Sequence, residues 1–167
     1  MTTRELPNEA PLLWEYIELA ARLEIEVAEL YNSIAEVFAD DVEFANFWRL
    51  SAEAERYHAA TILVHMHVFE ARDLPTHPLL PVEMSSMRAL LARLAEIRTQ
   101  VASRPPTRRE ALEIALEIEE NGAEVHGRSQ FEWLYEDMRA LFVSMAQEDL
   151  AHRRSFDAML KRLPASA

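Results

Sequence analysis

Residues 51–62 read SAEAERYHAATI, and the fold turns on which way this stretch faces. It is alanine-rich and free of glycine and proline, so it favours a helix. In a helix, Glu55 and His58 lie one turn apart on the same side. Continuing that side by three- and four-residue steps adds Trp48, Ser51, Ala52, Ala59, Ile62, Met66 and Phe69. Such a side belongs in a core, yet it carries a carboxylate and an imidazole inward. An unpaired buried charge is costly, so the rest of the chain must supply partners.

The 167-residue length suits a single domain, expected to span residues 1–167 with flexible termini at 1–9 and 164–167. Half the residues are apolar and only Gly122 and Gly127 are glycine, which is the composition of long helices. There is no cysteine, so disulfides, a thiolate nucleophile and cysteine-ligated zinc or iron–sulfur sites are excluded within these residues. A net charge of −12 argues against nucleic-acid binding, which rests on neutralised phosphates. MTTRELPNEAP lacks the apolar core of a signal peptide, and no run approaches the ~20 apolar residues of a membrane span. A cytoplasmic protein is the expectation.

Apolar residues recur at helical spacing through 10–39, 42–72, 107–132 and 137–162. ADDVEF separates the first two stretches and offers a cap. DLPTHPLLPVEM closes the second, and a further amphipathic segment follows at 84–103, with Met87, Leu90, Leu91, Leu94 and Ile97 on one side. SRPP ends that segment and PTRREA opens the next long helix, with proline at a tolerated position. The weakest boundary falls near QFEWLYED. Four long helices with one long connection in the middle predict an all-α four-helix bundle with a crossover between helices 2 and 3. The crossover contains an additional helix, expected along the outside, where its Met and Leu would suit a dimer interface. A simple up-and-down bundle with a fifth helix is the alternative.

The other three long helices repeat the anomaly of the second. Glu24 is the one charge in a stripe of Ile17, Ala20, Ala21, Val27, Ala28, Tyr31, Ala35 and Phe38. Glu119 interrupts Leu112, Ala115, Leu116, Gly122 and Ala123. Asp149 lies with Phe142, Met145, Ala146 and Phe156, and His152 follows it one turn later. Each helix thus turns one carboxylate inward, and two of them add a histidine, as Glu55-x-x-His58 and Asp149-x-x-His152. Two divalent cations would balance four carboxylates, with the imidazoles as neutral ligands; this donor set suits iron or manganese. Glu148, turned about 100° from Asp149 on an ideal helix, is expected to matter little unless the helix rotates and it replaces Asp149.

AARLEIEVAELY (20–31) also aligns with ALEIEENGAEVH (115–126). Glu24 to Glu55 spans 31 residues, and Glu119 to Asp149 spans 30. Each half reads as a helical hairpin giving one carboxylate and then a carboxylate-x-x-His. Two such hairpins about a pseudo-twofold axis would build a nearly symmetric dinuclear site.

At LAARLEIEVAELY and SAEAERYHA the chain resembles the ferritin-like superfamily, and within it the rubrerythrin di-iron domain. The family's ligand pattern is a glutamate from each of two helices and Glu-x-x-His from each of the other two. The resemblance covers about 17–38, 45–70, 111–130 and 142–160. It implies two iron ions, with manganese or a mixed iron/manganese pair as variants, held by Glu24, Glu55, His58, Glu119, Asp149 and His152. Glu55 and Asp149 would bridge and Glu24 and Glu119 would bind terminally, with Tyr31 hydrogen-bonded to a ligand.

Departures are Asp149 where the family has glutamate, His126 at the place matching Tyr31, and Gly122 where rubrerythrins carry a further glutamate. A rubredoxin-like domain is absent from these residues. The implied function is a di-iron oxidoreductase that reduces peroxide or O2, served by a separate electron donor and forming a homodimer. An iron-handling bundle, with ferroxidase activity or no turnover, is the alternative, and a purely structural bundle is a third. Among the remaining histidines, His65 is expected at the site's entrance or in packing, and His67 and His77 carry no pattern.

Overall fold

The computed structural model of the chain describes residues 13–71, 84–128 and 136–164. These residues form an all-α protein: α1 is Leu13–Val37, α2 Val42–Ala71, α3 Ser85–Ser103, α4 Arg108–Arg128 and α5 Glu136–Arg162. The Pro-rich crossover with His77, and the boundary near QFEWLYED, lie outside the described residues. Among the described residues, no helix is long and apolar enough to cross a membrane.

Polar side chains set the starts of α2 and α4. Asp41 caps α2, its Oδ1 accepting from the Phe44 N–H at 3.3 Å. At the start of α4, Thr107 Oγ1 accepts from the Glu110 N–H at 3.2 Å, and Glu110 accepts in return from the Thr107 N–H at 2.8 Å. This reciprocal pair satisfies two N–H groups that the helix itself leaves unpaired. Asp41 also pairs with Arg108, tying the α1–α2 turn to the start of α4. At the other end of the chain, the Pro164 carbonyl accepts from Arg109 at 3.3 Å.

The helices pack as two principal pairs, α1 with α2 and α4 with α5, and α2 also meets α5. The additional helix departs from expectation. Met87, Leu90, Leu94, Ile97 and Val101 of α3 are buried, and the helix lies against both α1 and α4. Arginines pin its rim, with Arg88 to Glu15 and Arg98 to Glu26 at 2.6 Å each, and Arg93 to Glu117 at 2.9 Å. These exposed pairs contribute little energy but fix the face that α3 turns inward. The stripe that would have suited a dimer interface is therefore core. A helix of this length can satisfy its one apolar side only on another apolar face, and α1 and α4 provide one.

Near the α1–α2 turn, Trp48 is fully buried among Tyr31, Phe44, Phe47 and Phe156, with ring centroids 5.2–5.9 Å apart. Rigid aromatic contacts of this kind hold the ends of α1, α2 and α5 together, and they immobilise the Tyr31 ring. If α3 is core, Leu94→Ala should lower unfolding free energy by about 2–5 kcal/mol, the cost of a cavity in a packed interior. Urea denaturation checks this, and a loss below about 1 kcal/mol would mark α3 as peripheral.

Candidate metal centre

Four helices bring charged groups into this apolar interior. Glu24 (α1), Glu55 and His58 (α2), Glu119 (α4) and Asp149 (α5) are each no more than 4% exposed. They are the buried polar or charged residues among those described. The His152 side chain, also on α5, is 23% exposed.

Glu55 occupies the middle. One of its oxygens, Oε2, lies 3.1 Å from His58 Nδ1, and the other, Oε1, lies 2.8 Å from His152 Nδ1. A second glutamate flanks each imidazole. Glu24 is 3.4 Å from His58 Nδ1, and Glu119 is 3.8 Å from His152 Nδ1. The two rings stack with centroids 5.5 Å apart. Two triads result, Glu24–Glu55–His58 and Glu55–Glu119–His152, each with its ligand atoms within 4.8 Å of one another. They share Glu55. The sequence repeat reappears here as geometry, because Glu24 corresponds to Glu119 and His58 to His152.

Asp149 borders the same small cavity but stands outside both triads. Its Oδ2 is 3.5 Å from the place a Cβ on Gly122 would occupy, an ordinary van der Waals contact, so the two residues are close neighbours in the cavity wall. Glu24, Glu55 and Glu119 also border the cavity, and Leu23, Val27, Leu90 and Ile118 supply its apolar wall. Leu90 comes from α3, so the crossover helix helps close the site. The space open to the centre of a water-sized sphere is about 10 Å³, roughly what one small ligand needs.

Tyr31 reaches from α1 to α4 and donates from its hydroxyl to Glu119 Oε1 at 2.5 Å. Burial and the neighbouring Glu119 push the phenol well above its ordinary range, so it remains a protonated donor. Burial, and then the charge of Glu55, also push the Glu119 carboxyl up, with the Tyr31 hydrogen bond opposing. Burial works against protonation of His58, but hydrogen bonds and charge from Glu24 and Glu55 outweigh it and raise its pKa to about 11. For His152 burial again opposes, and Glu55 raises the pKa. In the absence of a cation, protons hold this cluster together.

One pair of atoms fits protons poorly. Glu55 Oε1 and His152 Nδ1 are buried and 2.8 Å apart, close enough for Glu55 to raise the His152 pKa but out of line for a well-formed hydrogen bond. Adjacent ligand atoms around a six-coordinate cation with bonds of ~2.1 Å stand about 3.0 Å apart. Both spacings to Glu55 are close to that, and carboxylate oxygen with imidazole nitrogen is a donor set for iron, manganese or zinc. These buried groups can hold a metal ion.

Glu148, expected to matter little, makes a contact that its place off the stripe did not suggest. Its side chain is half-exposed, but Oε2 lies 2.7 Å from His58 Nε2. The 100° turn that removes Glu148 from the stripe of α5 directs it toward α2, and its length spans the gap. His65 bonds back to the Thr61 carbonyl of its own helix at 2.9 Å. The side chain of His126 lies outside the described residues. Compared with family models, curated proteins and solved structures, the chain matches none.

These titrations carry a sign. A histidine raised from 6.5 to about 11 by folding stabilises the metal-free protein fully below pH ~6.5, and that contribution is lost as pH rises toward 11. The raised Glu119 and His152 act in the same direction. The melting temperature of metal-free protein should therefore fall between pH 6.5 and 9. Saturating Mn²⁺ displaces those protons, so its stabilising increment should grow over the same range. Calorimetric melting at several pH values tests both trends; a flat or rising metal-free curve would contradict them.

Proposed function

We propose that the chain is a ferritin-like, rubrerythrin-type dinuclear iron protein that reduces peroxide or O2 as its centre is oxidised. One observation supports this reading above all: a single buried carboxylate, Glu55, stands between two His-containing triads. A mononuclear site needs one triad, and a structural ion-pair network has no need of two that share one buried carboxylate.

In this reading Glu24, Glu55 and His58 hold one ion, and Glu55, Glu119 and His152 hold the second. Asp149, which lines the same cavity, completes the set. Two adjacent iron ions, each giving one electron, supply the two electrons that convert peroxide and two protons to two waters. The chain's own residues supply the setting. The carboxylates hold the charge of either oxidation state, Tyr31 fixes the orientation of Glu119 through its hydrogen bond, and the apolar wall keeps bulk water out. Manganese, or a mixed pair, suits the same donors.

With no cysteine in these residues, the electrons for peroxide turnover come from a separate donor. A homodimer belongs to the proposal, but its surface is not the buried stripe of α3. A ferroxidase reading, in which Fe(II) is itself the substrate, draws support from the net charge of −12, which attracts cations.

Anaerobic protein loaded with two Fe(II) ions per chain, mixed in a stopped-flow instrument with peroxide and separately with O2, tests the proposal. The expected result is a ferric absorption that develops with both oxidants and faster with peroxide. Faster oxidation by O2, with release of Fe(III), would favour the ferroxidase reading. Oxidation no faster than that of free Fe(II) would refute both. Glu55→Ala, which removes the shared ligand, should abolish the reaction.

A further inference from the structure

The repeat that makes the centre nearly symmetric breaks at the residue just before Asp149, as well as at Asp149 itself. Glu148, on α5 immediately before Asp149, bonds to His58 Nε2 at 2.7 Å. Its counterpart under the repeat is the residue immediately before Glu55 on α2, which would serve His152. That residue is Ala54, which cannot hydrogen-bond through its side chain. Helix α5 therefore supports the outer nitrogen of the α2 histidine, and the matching position of α2 has no side chain that could do the same for His152.

The difference extends into the surroundings of the two rings. The His58 side chain is 3% exposed, with Nδ1 facing Glu24 and Glu55 and Nε2 facing Glu148. Glu148 is itself braced, because its Oε1 accepts from the Ser144 hydroxyl at 3.1 Å, one helical turn earlier. His152 turns Nδ1 toward Glu55 and Glu119, but its side chain is 23% exposed. Among the described residues, no carboxylate is bonded to its Nε2.

An imidazole that binds a cation through Nδ1 must carry its proton on Nε2. A carboxylate accepting that proton fixes the tautomer and ring orientation and makes the other nitrogen a stronger donor; losing such a partner typically weakens metal binding 10- to 100-fold. We infer that Glu148 makes the two metal positions unequal, so that the Glu24–Glu55–His58 position fills first and releases its ion last. Glu148 is a positioning residue that acts through His58. The inference rests on the dinuclear reading above, and it gives the pair a defined order of assembly that the six inward-facing residues alone do not.

Titration of metal-free protein with Mn²⁺, following free ion by electron paramagnetic resonance, tests it without any turnover. The unaltered chain should bind two ions in unequal steps. Glu148→Ala should weaken the tighter step by about 10- to 100-fold and leave the other within about threefold. Glu148→Gln, which keeps an acceptor oxygen but not the charge, should fall between. In a His58→Ala background, Glu148→Ala should have no further effect, while in a His152→Ala background it should retain its full effect. Ala54→Glu should tighten the weaker step.

Circular dichroism of each metal-free variant establishes that the helices are intact. Two equal steps in the unaltered chain would overturn the inference, as would a Glu148→Ala effect on both steps alike or on neither. In those cases the dinuclear reading survives, because two ions still bind. Absence of any Mn²⁺ binding by the unaltered chain would sink both.

Discussion

Everything near the middle of this bundle is arranged around the buried Glu55 carboxylate and the two imidazoles it separates. A carboxylate this far from water is tolerated only with positive charge against it. Two histidines on neighbouring helices provide that charge in the metal-free state, with protons drawn toward nitrogens 2.8 and 3.1 Å away. Three further carboxylates in the same interior make protons an incomplete remedy, because negative groups outnumber the imidazoles. The strongly raised His58 pKa and the raised Glu119 pKa express one shortage of cationic charge. Two divalent cations would relieve it, which links the proposed function to a problem of folding energetics.

The surrounding architecture can be understood as the means of keeping that cluster dry and aligned. Alanines at 20, 21, 28, 52, 111 and 115 are buried, and such small side chains let helices approach closely enough for short carboxylates to meet. Aromatic rings around Trp48 fix one end and immobilise Tyr31, whose hydroxyl then orients Glu119 across the bundle. Helix α3 closes the side along α1 and α4, held in register by arginine pairs at its rim. Surface ion pairs of that kind add little stability, so the burial of Leu94 and its neighbours is what holds α3 in place. A helix expected on the outside thereby becomes a wall of the cavity through Leu90.

Much of this was legible in the residues because helical spacing is a local rule. A carboxylate interrupting an apolar stripe is visible from one helix at a time, and stripe by stripe it led to Glu24, Glu55, Glu119 and Asp149, all of which the fold buries. The helix limits agree with the described ones to within a few residues for the same reason. What escaped was relational. Glu148 lies off its own stripe, and only the approach of α5 to α2 reveals that it meets His58. The apolar face of α3 was legible from spacing within 84–103, but that it would meet α1 and α4 was not. Asp149 shares the cavity but neither triad, and no spacing within α5 encodes that difference. At the start of α4 the reading rested on proline, whereas the structure places a Thr107–Glu110 capping pair there.

The central claim is that Glu55 is shared between two cations, and anomalous X-ray diffraction from crystals of metal-loaded protein tests it most directly. The account predicts two peaks per chain about 3.5–4 Å apart, as in two-metal sites generally. One should lie against Glu24, Glu55 and His58 and the other against Glu55, Glu119 and His152. A single peak, or peaks confined to acidic side chains on the surface while this interior stays empty at saturating metal, would contradict it.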